Sequence, residues 1–133
     1  MKICVGFTGS EASRKALELA KSFAELTGAK VHVITSMEGG AGEKPQDVAK
    51  ANENIEEVKN FFNGTGIDFE AEQIVLGNSP GEDIVRFAKE NDIEHIFLGI
   101  EKLSRLQKLI LGSTAQYIIL KAPCPVTTVR SRS

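Results

Sequence analysis

The 133 residues suffice for one domain with its own core, and 41% hydrophobic against 26% charged residues is an ordinary globular balance. A net charge of −2 supplies no basic field for nucleic acid, and seven Phe, one Tyr and no Trp leave few residues for stacking bases or flavins. No apolar run reaches the roughly 18–20 residues of a membrane span, and Cys4 and Cys124 suggest neither a disulfide framework nor a metal pair, so the expected address is the cytoplasm with both thiols reduced.

The chain alternates strand and helix. Residues 2–8 read as a short buried strand that passes to Gly9, Ser10 and Glu11 too soon for a signal peptide. Ser10 is an N-cap candidate, and Ala12, Ala16, Ala20 and Phe23 form one face of the helix that follows. Gly28 stands where a left-handed residue ends it. Residues 31–35 are the second strand. Residues 37–45, with three glycines and a proline, read as a loop. The next helix is expected over 46–62, with Val48, Ala51, Ile55, Val58 and Phe62 as its apolar stripe and Lys50, Glu53, Glu57 and Lys59 in water.

Residues 69–75 are a third strand, whose alternation with charged neighbours suits an edge. Ser79-Pro80-Gly81-Glu82 is a capping box with proline at the first helical position, and Ile84, Val85 and Ala88 face inward. Residues 93–99 end in an apolar run that fits a strand buried on both faces. Residues 100–111 are a loop with helical tendency. Ser113 with Gln116 reads as another capping box, Pro123 ends the last helix, and 126–129 is the fifth strand.

Strands separated by helices imply an α/β fold: a five-stranded parallel sheet with helices on both faces and right-handed crossovers. The polar third strand belongs at an edge and the first and fourth at the centre, which predicts the order 3-2-1-4-5. Ligands in such sheets bind where the strand order reverses, here between strands one and four. Segments 7–10, 35–40 and 98–113 line that point. Cys4 and Cys124 fall on strands two positions apart, roughly 9–10 Å, too far for a disulfide.

Residues 98–130 are the most informative stretch. Gly99 ends a buried strand at the crevice. After twelve intervening residues, Gly112 and Ser113 open a helix whose amides and dipole favour an anion. Lys102, Arg105 and Lys108 add positive charge between them. Turn glycines beside a solvated basic face explain the same residues equally well.

This stretch resembles the universal stress protein domain. Its signature is a glycine, two residues, a second glycine, nine residues, then Gly followed by Ser or Thr. Gly99 and Gly112-Ser113 match, while Lys102 replaces the second glycine. Gly112-Ser113-Thr114-Ala115-Gln116, Pro123-Cys124-Pro125-Val126, residues 77–80 and the opening residues 5–13 are similar to the family as well, so the resemblance covers essentially the whole chain as a single domain, 1–133. It implies the adenine nucleotide alpha hydrolase-like fold, homodimers that pair through Val126, Thr127, Thr128 and Val129 of the last strand, a role in stress response or regulation, and, in one subset, binding of ATP or AMP, with or without Mg. On that mapping the backbone near Ser36 and the side chain of Leu98 border adenine. Gly6 and Thr8 lie near the nucleoside, and Gly99, Gly112, Ser113 and Thr114 hold phosphates. Nucleotide-binding members carry Asp at the position of Thr8, and Lys102 either blocks the phosphate site or contacts phosphate with its ammonium.

Two readings stay open: a regulatory nucleotide binder without catalytic residues of its own, and a dimerising interaction module that has lost the nucleotide. Slow ATP hydrolysis is a variant of the first. A flavodoxin-like FMN carrier lacks its aromatics, and a receiver domain lacks its acidic residues at Thr8-Gly9 and Leu76-Gly77. A P-loop hydrolase lacks GxxxxGK[ST]. His32 and His95 have no Asp, Glu or Cys in ligand spacing except Glu94, which points to the opposite face from His95, so no metal site is expected. The β-branched fifth strand supports dimerisation independently, because an exposed, β-prone edge invites pairing.

Overall fold

The computed structural model describes residues 1–36, 45–74, 79–100 and 111–131. Within them the alternation becomes β1 (Lys2–Gly6), α1 (Glu11–Thr27), β2 (Lys30–Ser36), α2 (Pro45–Phe62), β3 (Phe69–Ile74), α3 (Pro80–Glu90), β4 (His95–Ile100), α4 (Ser113–Lys121) and β5 (Val126–Arg130). All neighbouring strands are parallel and the sheet order is β3-β2-β1-β4-β5, as the polarity of the strands predicts.

Period-two alternation divides the core between the two faces of the sheet. Ile3, Val5 and Phe7 join Val31, Val33 and Phe97 under Ala16, Leu17 and Ala20 of α1 and Val58 and Phe62 of α2. Cys4, Ile34, Ile96 and Leu98 face the other way, under Ile84, Val85, Phe87 and Ala88 of α3 and Ala115 and Ile118 of α4. The central strands are therefore buried on both sides and the outer strands are not, which is the physical basis of the order.

Helix starts follow their local chemistry with one exception. Ser10 accepts from the Ser13 amide, and Ser79 accepts from the Glu82 amide with Pro80 at the start of α3. Gly28, at φ +74°, ends α1 with its amide donating to Ala24. The expected capping box at Ser113 is absent. Gly112 is the N-cap, Ser113 is the first helical residue, and Gln116 Nε2 instead donates to the Leu111 carbonyl at 2.8 Å. The helix begins one residue earlier in the cap frame, so Ser113 is already inside it.

Smaller corrections concern α2 and two strand ends. Pro45 belongs to α2 rather than to the loop before it. Val48 is 41% exposed, and the buried stripe runs through Ala51, Asn54, Val58 and Phe62, so an amide takes a place expected for an apolar side chain. The fourth strand starts at His95, not at 93, and Cys124 sits in the bend before β5 rather than on a strand. Burial pushes the Cys4 thiol well up and the half-buried Cys124 up as well, which disfavours either thiolate. Residues 37–44, 75–78, 101–110 and 132–133, with Leu76, Gly77, Lys102, Arg105 and Lys108 among them, lie outside the described residues.

Candidate functional site

The carboxyl ends of β1 and β4 lie side by side. Gly6 pairs with Leu98 on one side and Ile34 on the other, and the Phe7 amide extends the ladder to the Ile34 carbonyl at 3.0 Å. Ser36 is the last residue of β2, opposite Ile74, and so stands at the same end. A Cβ on Gly6 would come within 3.2 Å of Leu98 Cδ1 and 3.4 Å of Ile84 Cδ1. Leu98 itself is only 7% exposed, so its side chain belongs mainly to the core beneath this end.

Beyond Gly6 the chain turns sharply into α1. Gly9 has φ +84°, and a Cβ there would also meet Asn54 Oδ1 of α2 at 2.6 Å. The positive φ requires glycine, and the contact with the tip of Asn54 adds to it. The Thr8 hydroxyl donates to Ser10 Oγ at 3.0 Å and accepts from the Ser10 amide at 3.3 Å. Ser13 Oγ donates to the Ser10 carbonyl at 2.9 Å and accepts from the Thr8 amide at 3.3 Å. The turn is thus closed on itself: exposed Thr8 lies at the crevice, but its hydroxyl is engaged in ordering the start of α1.

Gly99 has a packing role that sequence spacing did not reveal. A Cβ there would lie 2.4 Å from the Ala12 carbonyl carbon, 2.5 Å from its oxygen and 2.5 Å from the Ser13 amide nitrogen. These are backbone atoms of the first turn of α1 and cannot swing aside. Glycine at 99 is what lets α1 lie against β4, whether or not an anion approaches.

The N-terminus of α4 completes this end. The chain runs from α4 through residues 122–125 into β5, whose start is tied to β4 by the Ile96 amide donating to the Pro125 carbonyl at 3.0 Å. The amino end of α4 therefore stands at the carboxyl edge of the sheet. The α3 first turn packs there too, for the place of a Gly81 Cβ is 3.2 Å from the Thr114 carbonyl oxygen. Among the described residues no side chain caps α4, and its first turn holds no acidic residue, whereas the first turns of α1 and α3 hold Glu11 and Glu82 with Asp83. Uncapped amides at the positive end of a helix dipole suit an anion. Ser113 is exposed and Thr114 half-buried, so both are reachable.

A profile of the Universal stress protein family matches residues 1–130. The chain belongs to this family. A universal stress protein from Archaeoglobus fulgidus has the same fold at a TM-score of 0.84 and 35% identity, over 97% of this chain and 93% of that one. A universal stress protein from the same organism, in complex with dAMP, matches at 0.80 and 33% identity over 97% of each chain. A Synechocystis universal stress protein is 28% identical across 97% of this chain, which spans 42% of that relative's length. The universal stress protein fold, with the adenine nucleotide alpha hydrolase-like arrangement of its sheet, is the one the resemblance implied, and its strand order is the one the polarity of the strands indicated.

The expectation that neither histidine has an acidic neighbour fails for His32. Register places Glu70 of β3 directly opposite it, and Glu72 follows on the same face. That proximity arises from strand pairing across 38 positions of sequence and has no signature along the chain. His95 has a different partner: its Nε2 is 2.6 Å from Thr127 Oγ1 of β5, and its ring stacks on Phe97.

Proposed function

We propose that this universal stress protein domain binds an adenine nucleotide, AMP or ATP with or without Mg, at the carboxyl ends of β1 and β4. In this reading Gly6, Thr8, Leu98 and the backbone at Ser36 border the nucleoside. The amides and hydroxyls of Gly112, Ser113 and Thr114, with the Gly99 backbone and Lys102, take the phosphates. The observation that carries it is the uncapped, acid-free first turn of α4 at the carboxyl edge of the sheet. The dAMP held by a relative of the same fold and 33% identity supports the choice of adenine nucleotide. The domain acts by binding: the hydroxyls of Thr8, Ser10 and Ser13 bond to one another and to backbone, not to a base that would make one a nucleophile.

Titration with AMP and ATP should give saturable binding with one nucleotide per chain. No binding of either at millimolar concentration overturns the proposal. Mass analysis of nucleotide carried through purification sharpens it, with Thr8→Asp and Lys102→Gly alongside. A gain in Thr8→Asp supports the nucleoside position, and a loss in Lys102→Gly makes the ammonium a phosphate contact.

A second reading, an interaction module without nucleotide, is favoured by one observation: the Thr8 hydroxyl is committed to the α1 turn and offers no carboxylate to a ribose. In both readings the working form is a cytoplasmic homodimer with a stress-response or regulatory role, paired through Val126, Thr127, Thr128 and Val129. The support is that β5 is an outer strand whose residues are half-buried or exposed. Thr128→Pro should shift the protein to monomer in sedimentation; an unchanged dimer overturns that interface.

A further inference from the structure

At the opposite edge of the sheet, away from β5, His32 of β2 faces β3. The residue is 5% exposed, and neither ring nitrogen has a hydrogen-bond partner among the described residues. Phe87 of α3 holds the ring edge-on at 5.4 Å between centroids. A buried imidazole with both nitrogens unmatched costs stability, and native structures rarely tolerate it without a ligand or a bound water. Its Nδ1 points at Glu70 Oε2, 3.6 Å away, too long for a hydrogen bond. Glu70 and Glu72 are two residues apart on one strand and so share a face. One donor atom from each of His32, Glu70 and Glu72 lies within 4.8 Å of the others.

The geometry points to a binding site for a divalent transition-metal ion, Zn2+ in the first instance, formed by His32, Glu70 and Glu72. One imidazole nitrogen and two carboxylate oxygens are a donor set that suits zinc better than magnesium or calcium, which prefer oxygen alone. Metal–ligand bonds of about 2.0–2.2 Å place tetrahedral ligand atoms roughly 3.4 Å apart. The donors must close by up to about 1.4 Å, which rotation of the two glutamate side chains supplies, since Glu70 is 47% exposed and Glu72 half-buried. A fourth position is left for water, and the exposed carboxylates give an ion its entry.

The surrounding charges fit this arrangement. Lys30 Nζ grips Glu70 through Oε1 at 2.8 Å, and Oε2 is the oxygen nearer His32, 3.6 Å from Nδ1. Burial holds the His32 imidazole below its ordinary range, with Lys30 and Lys2 acting the same way against Glu70 and Asp68. The ion would tie the outermost strand, β3, to β2, replacing a buried unmatched imidazole with a bond.

The metal-stripped full chain, titrated with zinc chloride in a non-chelating buffer, should take up one ion per chain at low-micromolar concentration and melt at a higher temperature with the ion present. Glu72→Gln, a change at a half-buried edge position, should weaken uptake by more than the roughly 10–100-fold that loss of a metal's outer-shell partner costs. Glu70→Gln and His32→Gln should do the same, while Cys124→Ser and His95→Gln keep wild-type uptake. With Co2+ as the probe, no thiolate charge-transfer band should appear. Absence of stoichiometric uptake by the wild type overturns the site. So does Glu72→Gln binding as tightly as wild type, or loss of uptake in Cys124→Ser. None of these readouts depends on nucleotide.

Discussion

At the start of α1 every device for satisfying a helix terminus is in use. Ser10 caps the Ser13 amide, Thr8 and Ser13 brace the turn, Glu11 complements the dipole, and Gly99 of β4 lets the first turn press against the sheet. At the start of α4, on the same edge of the sheet, Gly112 brings no side chain and the first turn no acid. Free amides at a helix start are satisfied by water or by a ligand. The contrast teaches that a closed terminus serves the fold, while an open one beside the switch point leaves its amides to water or, on the proposed function, to an anion.

The largest test of the contrast lies on the closed side. Gly99→Ala sets a Cβ 2.4–2.5 Å from the Ala12 and Ser13 backbone and should cost about 3 kcal/mol in urea unfolding, at the upper end for overpacking. Gly6→Ala meets only side-chain tips, Leu98 Cδ1 at 3.2 Å and Ile84 Cδ1 at 3.4 Å, and should cost under about 1.5 kcal/mol. Equal costs would mean that the first turn of α1 yields as readily as a leucine tip.

On the open side, Ser113→Glu should move two measurements in opposite directions. An acid in the first turn stabilises α4 by about 0.3–1 kcal/mol in a melt. The same carboxylate repels phosphate and should weaken nucleotide binding about tenfold, near 1.4 kcal/mol. Stabilisation without loss of affinity would detach the phosphates from α4.

Smaller effects separate the two serines. Ser10→Ala removes a cap and should cost about 1 kcal/mol. Ser113→Ala removes none and should stay within about 0.5 kcal/mol. If Ser113→Ala destabilises as much as Ser10→Ala, the hydroxyl caps the helix in solution and the two ends are alike.

Much of this architecture was legible because it is written in neighbours. Ser79-Pro80-Gly81-Glu82 starts a helix through contacts within one turn, and the charged alternation of Phe69, Glu70, Ala71 and Glu72 marks a strand with one wet face. The pattern Ser-x-x-Gln marks Gly112-Ser113 as a terminus but cannot say which residue leaves helical geometry first, and the cap is Gly112, one residue before the serine. Asn54 has no signature inside the apolar stripe because its neighbour, Gly9, comes from a turn 45 positions away.

The amino-acid order by itself determined the class of fold, the centre and edges of the sheet, the starts of α1 and α3 and the presence of a helix start near 112–113. These rest on periodicity, capping and the burial of apolar strands, all local quantities. Only the tertiary structure decided that Gly99 is a seat for α1, that the Thr8 hydroxyl is spent on a turn, and that His32 meets Glu70 and Glu72. Those depend on packing distance and strand register, which set side chains from distant positions against one another and leave no spacing along the chain to read.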